Sequence, residues 1–315
     1  MSEPSSLPAT QAPHALRIAR GRLWLATGAV IASAACWGLA TVATKGLLET
    51  IPAFQLLALQ LGGSVAFLWL CVGLLRPAGA GREEMPAILA SGLLEPGLAY
   101  GLAVPGLALT SAANATVIGA AEPAFICALA WLLLGLRPGR GVAVVLGLAI
   151  SGVLMVTLSD AEGLGQGRLS GDGLVGMGTA VAALYVVMSS RLLSATAPLS
   201  LAALQQTAGL GCVLCLFACT WALGYEHPVA PSWPLLLAAG ATGVIQYALA
   251  VWFYLLGLRF LTPAVAGLYL ALIPVFGMAG AVLVLGEVIG PIQVAGAAIV
   301  IAAIGWLGLL QRSSQ

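Results

Sequence analysis

The chain has 315 residues, of which 61% are apolar and only 7% are charged, and its net charge is +1. No hydrophilic segment outside the termini is longer than about 15 residues, so a separate soluble catalytic or nucleic-acid-binding domain is excluded. The near-neutral charge also gives no reason to expect nucleic acid as a partner. The composition instead predicts a protein that lies mainly within a lipid bilayer.

Apolar segments long enough to cross a bilayer recur along the whole chain. About 20 helical residues cross a hydrocarbon core of roughly 30 Å. Segments of that length predict ten transmembrane helices, at residues 23–47, 52–75, 86–108, 111–134, 141–158, 173–194, 198–224, 233–256, 263–286 and 290–310. The other stretches are predicted to be a disordered tail at 1–22, a linker at 159–172 and a short tail at 311–315.

The Lys and Arg residues fall unevenly between these spans. If the N-terminus is cytoplasmic, ten of the twelve lie in inside segments, and only Lys45 and Arg168 lie in outside segments. Cytoplasmic segments of membrane proteins carry such an excess of positive charge. The bias predicts that both tails are cytoplasmic and that the linker is outside. Short loops and the absence of organelle signals favour the bacterial inner membrane.

Two parts of the chain resemble each other at an offset of 151 residues. Segments 106–135 and 257–286 share twelve identities, among them Pro123 with Pro274, whereas about three would be expected by chance. A second match, at an offset of 146, includes the pair Gln60 and Gln206. The chain is therefore predicted to contain two repeats of five helices, 23–158 and 173–310.

Because five is an odd number, the second repeat would enter the membrane from the opposite side. Inverted repeats of this kind are typical of alternating-access transporters, whose substrate sites lie near the membrane midplane between the repeats. The fold class predicted is an all-α membrane protein with ten transmembrane helices in two inverted five-helix repeats.

Several short motifs point to a known family. They are Cys36-Trp37-Gly38, Thr110-Ser111-Ala112, Glu122-Pro123, Leu132 to Gly135, Leu261-Thr262-Pro263-Ala264, Pro274-Val275-Phe276 and Leu285-Gly286-Glu287. With these motifs the chain resembles the drug/metabolite transporter superfamily, of the ten-helix type built from two EamA repeats. The resemblance implies a central cavity lined by helices 1, 3, 4, 6, 8 and 9, and export of small metabolites or amino acids. It leaves the substrate open.

Two acidic residues fall deep within predicted spans. Glu95 lies about nine residues into the third span and Glu122 about eleven into the fourth, which places both ~14–17 Å deep at ~1.5 Å per residue. A carboxylate at that depth requires a wet cavity, a partner or a bound proton. No Lys or Arg lies at the same depth, so we predict that both acids bind substrate or protons. The alternative for Glu122 is a structural acid bonded to backbone groups freed by Pro123.

Aromatic and amide side chains at similar depth complete the predicted pocket. They combine an apolar wall with a polar edge, and aromatic faces can hold an ammonium group. The candidates are Trp37, Tyr185, Gln246, Tyr247 and Tyr269, followed by the weaker Tyr100, Asn114 and Thr116. The alternative for each is ordinary packing between helices. Gln246 is also the repeat counterpart of Glu95.

Three other features are interpreted as structural. Cys212, Cys215 and Cys219 share one helix face and are interpreted as packing residues, since neither histidine lies in a span to complete a metal site. Lys45 is interpreted mainly as an anchor at the membrane interface, with gating of one mouth as the alternative. Glu287 is predicted to cap the start of the tenth helix.

The sequence therefore predicts a secondary transporter rather than an enzyme, since it contains neither a His-Glu-x-x-His helix nor a phosphate-binding loop. We expect it to export small metabolites such as amino acids or amines, by proton antiport with alternating access. No cofactor is expected, and the two-repeat plan does not require an oligomer. The alternatives are an uncoupled facilitator of the same solutes and a membrane scaffold that transports nothing.

Overall fold

The computed structural model describes residues 12–119, 121–122, 124–126, 129, 140–159, 161–261, 266, 269–270 and 272–312. Its main helices are α1 (Ala12–Leu47), α2 (Ala53–Leu75), α3 (Met85–Leu109), α4 (Ala112–Gly119), α5 (Arg140–Ser159), α6 (Ala161–Leu192), α7 (Pro198–Ala222), α8 (Trp233–Leu258), α9 (Ile273–Leu285) and α10 (Pro291–Arg312). No strand occurs in this part of the chain, which agrees with the predicted all-helical fold.

Six of these helices contain a stretch that is long and apolar enough to cross a membrane. They are α1, α2, α3, α6, α7 and α8. Shorter apolar stretches occur in α5, α9 and α10. The predicted spans 111–134 and 263–286 lie partly outside the described residues, as do Pro123 and the motif at Thr262 to Ala264, so the count of ten spans stays a prediction.

Two helices begin earlier than the sequence indicated. The first starts at Ala12, so residues 12–22 are helical rather than disordered, because this stretch is rich in Ala, Leu and Arg, which favour helix. The sixth starts at Ala161, within the predicted linker 159–172. Its glycines disfavour helix in isolation, but from Gly171 onward the helix packs closely against α3.

The packing of the helices repeats between the two halves. The helix α3 packs along α6, and α8 packs along α1. Similarly, α7 contacts α3, and α2 contacts α8. When α1 to α5 are matched in order with α6 to α10, the contact of α3 with α6 corresponds to that of α8 with α1. The contact of α7 with α3 likewise corresponds to that of α2 with α8. The tertiary contacts thus carry the same duplication as the sequence.

Glycines allow the closest of these helix crossings. A Cβ atom added at Gly171 in α6 would lie 2.7 Å from the carbonyl oxygen of Gly106 in α3, and one added at Gly106 would lie 2.8 Å from that of Gly171. Gly257, the repeat counterpart of Gly106, similarly faces Val30 in α1. Small residues let apolar helices approach closely in membranes, so these positions set the spacing of both helix pairs.

Substituting Gly171 with Ala should therefore destabilise the protein. The added methyl group would meet backbone atoms of α3, which cannot move aside, and overpacking of this kind costs about 1–3 kcal/mol. We expect a lower melting temperature in detergent. Gly173→Ala is the matched control, since Gly173 lies in the same helix with nothing within 4 Å of its added Cβ. Equal melting temperatures for the two variants would contradict the role given to this crossing.

The side chain of Glu287 caps α4 rather than α10. Its Oε1 accepts a hydrogen bond from the amide of Ala112 at 3.0 Å, and its Oε2 accepts one from Ala113 at 3.2 Å. The start of α10 is served instead by Gln293, whose Oε1 accepts from the amide of Gly290 at 2.8 Å, as in a capping box. The prediction named the wrong helix for Glu287, because the segment after α9 folds toward the other repeat.

Lys45 also makes a contact between helices. Its ammonium group donates to the carbonyl oxygens of Leu107 and Ala108, at 3.0 and 3.2 Å. These carbonyls belong to the last turn of α3, where a cation is favourable. The side chain therefore links α1 to the end of α3, and its role as an interface anchor stays a prediction.

The variant Glu287→Ala should lower the melting temperature, because two amides at the start of α4 lose their acceptor. Loss of a helix cap costs about 0.5–2 kcal/mol. Glu287→Gln keeps one acceptor oxygen and should lose less, while Glu49→Ala, at an exposed position, should change little. A Glu287→Ala protein as stable as the wild type would show that the cap contributes nothing.

Candidate functional site

Both α3 and α8 depart from regular α-helix at corresponding places. The irregular segments are Leu93–Leu98 and Val244–Leu249, which are 151 residues apart. In the first, the backbone of Glu95 is extended, with φ −141° and ψ 123°, and the following Pro96 has no N–H to continue the helix. The second is a wider π-helical turn, a feature frequent at functional sites. The repeat pair Glu95 and Gln246 occupies the third position of each segment.

A cavity lies beside these two segments, between the repeats. It is lined by α1, α3, α4, α6, α8 and α9, and by Glu122. Its volume is about 130 Å³. Because one water requires ~10–15 Å³ of such space, the cavity has room for several. Small or apolar residues form part of the wall, and the larger polar and aromatic side chains are Trp37, Thr41, Glu95, Tyr100, Thr116, Glu122, Thr179, Tyr185, Gln246 and Tyr254.

The two predicted acids face this same cavity. Glu95 is 7% exposed, and the side chain of Tyr100 lies near its carboxylate. The Oε1 atom of Glu122 is buried and has no hydrogen-bond partner among the described residues. The two carboxyl groups lie close enough to interact electrostatically. No Lys or Arg belongs to the described lining, so the wall has acidic but no basic groups.

Other polar atoms of the wall also lack partners within the described part of the chain. They are the indole Nε1 of Trp37 and the hydroxyl group of Tyr254. The two rings pack edge to face, with centroids 5.5 Å apart and an interplanar angle of 63°. Buried polar groups in native proteins are nearly always hydrogen-bonded to protein, water or ligand. These atoms therefore suit a polar ligand or ordered water inside the cavity.

Tyr185 is held in the wall by a hydrogen-bond network. Its hydroxyl donates to Oε1 of Gln205 at 3.2 Å. The Nε2 of Gln205 donates to the hydroxyl oxygens of Ser91 and Ser189, each at 2.9 Å. The hydroxyl of Ser91 in turn donates to the carbonyl oxygen of Ile88 at 2.7 Å. This Gln205 network joins α3, α6 and α7 and fixes the ring of Tyr185 against the cavity.

Three predicted site residues do not line the cavity. Tyr247 is fully buried and packs edge to face against Tyr100, at 4.7 Å and 78°. Tyr269 packs against a hydrophobic cluster that includes Tyr185 and Tyr254. Asn114 bonds between helices, donating to Asp172 at 3.4 Å and accepting from Gln293 at 3.0 Å. Their depth in the spans suggested the pocket, but the faces of their helices point elsewhere.

Sequence reasoning also missed lining residues that a helical period would have found. On α3 the wall includes Ala99, Ala103 and Leu107, which follow Glu95 at steps of four. Ala103 maps at the repeat offset onto Tyr254, another missed residue. Thr41 similarly lies four residues after Trp37. Extending the predicted residues along their helix faces, and copying each face to the other repeat, would have indicated these positions.

Comparison with known proteins agrees with the two repeats. A sequence model of the EamA-like transporter family matches residues 24–158 and 169–309. The chain belongs to the EamA-like transporter family. Its membership confirms the resemblance to the drug/metabolite transporter superfamily and the two-repeat organisation, and makes the chain a multi-pass membrane transporter.

The other comparisons are informative only about the fold. No curated protein matches the sequence. One crystal structure of a protein resembles this EamA-like transporter with a TM-score of 0.64 and 19% identity, over 92% of this chain and 98% of that chain. At this identity the likeness shows that the two proteins share a fold.

Stability measurements can separate the two interpretations of Glu122. Because its Oε1 makes no hydrogen bond to described residues, Glu122→Gln should keep or raise the melting temperature of this transporter, as expected for a functional polar group in an apolar site. Gln205→Leu, which leaves the hydroxyl groups around it unpaired, should lower it. A clear loss of stability in Glu122→Gln would instead favour the structural acid.

Proposed function

We propose that this EamA-like transporter is a secondary active transporter that exports small amine-bearing metabolites, including amino acids, by proton antiport with alternating access. The observation that carries the proposal is a cavity between two repeats that holds Glu95 and Glu122 and no cationic side chain among its described lining residues. Acidic groups inside a membrane protein typically mark substrate or proton pathways.

The electrostatics of the acid pair supports exchange. Two negative charges in a site of low dielectric constant repel each other strongly, so a proton or a cationic group near Glu95 and Glu122 lowers the energy of the cavity. An ammonium group that enters would compete with the proton for the same carboxylates. Competition of two ligands for one site, each carried across in turn, is the requirement for antiport.

The wall of the cavity supports an organic rather than an inorganic cation. Trp37 and Tyr254 present aromatic surface beside Glu122 and the apolar wall. Aromatic faces attract ammonium groups and also bury apolar parts of a ligand. The described residues contain no group of three or more His, Cys, Asp or Glu side chains that could hold a metal ion.

The repeat architecture supports alternating access. In transporters with inverted repeats, one repeat rocks against the other around a site at the midplane. Here the irregular segments of α3 and α8 border the cavity from both repeats, and such breaks are places where helices bend. We propose that they bend in turn as the cavity opens to either side.

The distribution of Arg residues supports the orientation. We propose ten membrane spans, both termini in the cytoplasm and a bacterial inner membrane location, because ten of the twelve Lys and Arg residues then lie inside. The cavity is formed within one chain, so a monomer suffices for transport.

Proton movement in oriented vesicles tests this function. Adding a panel of amino acids and amines to wild-type protein should evoke a proton signal. Glu95→Gln and Glu122→Gln should each reduce it by about tenfold or more, since each loses a charged hydrogen bond to the ligand, and the double variant should abolish it. Glu83→Gln, an exposed position outside the cavity, serves as the control.

The outcomes separate the alternatives. Labelled substrate that equilibrates with no proton signal would identify an uncoupled facilitator, in which the acids only recognise a cation. A double variant with an undiminished proton signal would remove both acids from the coupling mechanism. Absence of flux for every solute would favour a scaffold.

A further inference from the structure

Gln246 is the one amide among the described lining residues of the cavity, and its side chain is held in a defined orientation. It is 4% exposed and lies on α8 at the position that Glu95 occupies on α3. A Gln side chain can offer either an acceptor oxygen or two N–H donors to a ligand. Which end faces the cavity decides what chemical group Gln246 can bind.

A chain of hydrogen bonds from α8 through α2 to α1 decides the orientation. The hydroxyl of Thr242 donates to the carbonyl oxygens of Ala238 and Ala239, at 2.9 and 3.0 Å. A carbonyl can only accept, so the single hydrogen of this hydroxyl is used there. The oxygen of Thr242 must then accept from its other neighbour, Gln60, whose Nε2 lies at 2.9 Å.

The amide of Gln60 also donates a hydrogen bond to α1. Its Nε2 donates its second hydrogen to the hydroxyl oxygen of Thr44 at 2.9 Å. The hydroxyl of Thr44 donates its own hydrogen to Oε1 of Gln246, also at 2.9 Å. The opposite orientation of Gln60 would turn its amide hydrogens toward the side where its Oε1 now has no partner, and a buried unpaired donor is costly.

The oxygen of Gln246 therefore faces Thr44 and accepts its hydrogen, and the NH₂ group is the end left for a ligand. Two further donors of the wall, the indole N–H of Trp37 and the hydroxyl of Tyr254, lack partners among the described residues. The cavity thus combines a negative pair, Glu95 and Glu122, with several neutral donors. A simple amine would satisfy the acids and leave these donors unpaired.

We propose that Gln246 determines specificity by donating hydrogen bonds to a carboxylate of the substrate, while Glu95 and Glu122 bind its ammonium group. The substrate class is then the zwitterionic amino acids rather than the corresponding amines. This inference rests on the proposed function and assigns opposite ends of one ligand to the repeat counterparts Glu95 and Gln246.

Matched ligand pairs test the inference directly. The pairs are L-alanine with ethylamine, L-leucine with isopentylamine, and L-phenylalanine with phenethylamine, which differ only by the carboxylate. Isothermal titration calorimetry on purified full-length protein gives the dissociation constant of each member. Wild-type protein should bind the amino acid of at least one pair about tenfold or more tightly than its amine, because hydrogen bonds to a charged group would be lost with the amine.

Variants of Gln246 and of Thr44, which orients it, test whether Gln246 causes the preference for amino acids. Gln246→Leu should remove most of the preference while amine binding persists, and Gln246→Glu should reverse it. Thr44→Val leaves the amide of Gln246 in place but frees its orientation, so an intermediate loss is expected; this variant also decides the matter if Gln246→Leu fails to fold. Gln206→Leu is the control, since Gln206 is buried and does not line the cavity.

Each outcome has a definite meaning. If wild-type protein binds amines as tightly as amino acids, or if Gln246→Leu and Thr44→Val both keep the wild-type preference, the role of Gln246 is overturned and transport of amines stands. If wild-type protein binds neither member of any pair, the proposed function fails together with the inference.

Discussion

A carboxylate inside a membrane-spanning bundle is unfavourable unless water, a proton or a cation reaches it, and two such groups face one cavity here. Much of the surrounding structure makes this arrangement possible. Small residues along α3 leave space for the cavity, and the break at Glu95 points its carboxylate into that space instead of along a regular helix. The close crossing at Gly106 and Gly171 holds α3 and α6 together beside it.

Duplication supplied two copies of one architecture, and the chemistry of the cavity comes from their differences. Glu95 corresponds to Gln246, and Glu122 corresponds to Ile273, another lining residue. The equal placement of these positions follows from the shared helix packing, whereas their unequal side chains make one side of the cavity acidic and the other neutral. If both repeats carried the same acid, a ligand would bind equally well in either orientation. The unequal residues Glu95 and Gln246 favour one orientation of a ligand over the other.

The depth of a residue could be predicted from the sequence, but the direction of its side chain could not always be. Counting residues along the spans predicted one level for Glu95, Glu122 and Gln246, which all line one cavity, and the repeat offset related Glu95 to Gln246. The same count selected Tyr247, which is buried away from the cavity, and passed over Tyr254, because depth alone does not tell which face of α8 a side chain occupies. The cap formed by Glu287 depends on contact between the end of α9 and α4, which is far away in sequence and follows only from the packed bundle.

The two repeats also contain similar hydrogen-bond chains that end differently. Ser91 and Thr242 are repeat counterparts, and each donates to a carbonyl of its own helix and accepts from a glutamine amide. In one chain that amide, Gln205, accepts the hydrogen of the Tyr185 hydroxyl. In the other, Gln60 acts through Thr44 to occupy the oxygen of Gln246. The first chain thus consumes a donor of the cavity wall, whereas the second leaves one available. Because both directions start from backbone carbonyls, which can only accept, neither can reverse without breaking several bonds. The polarity of the cavity is therefore fixed by the backbone rather than by the ligand.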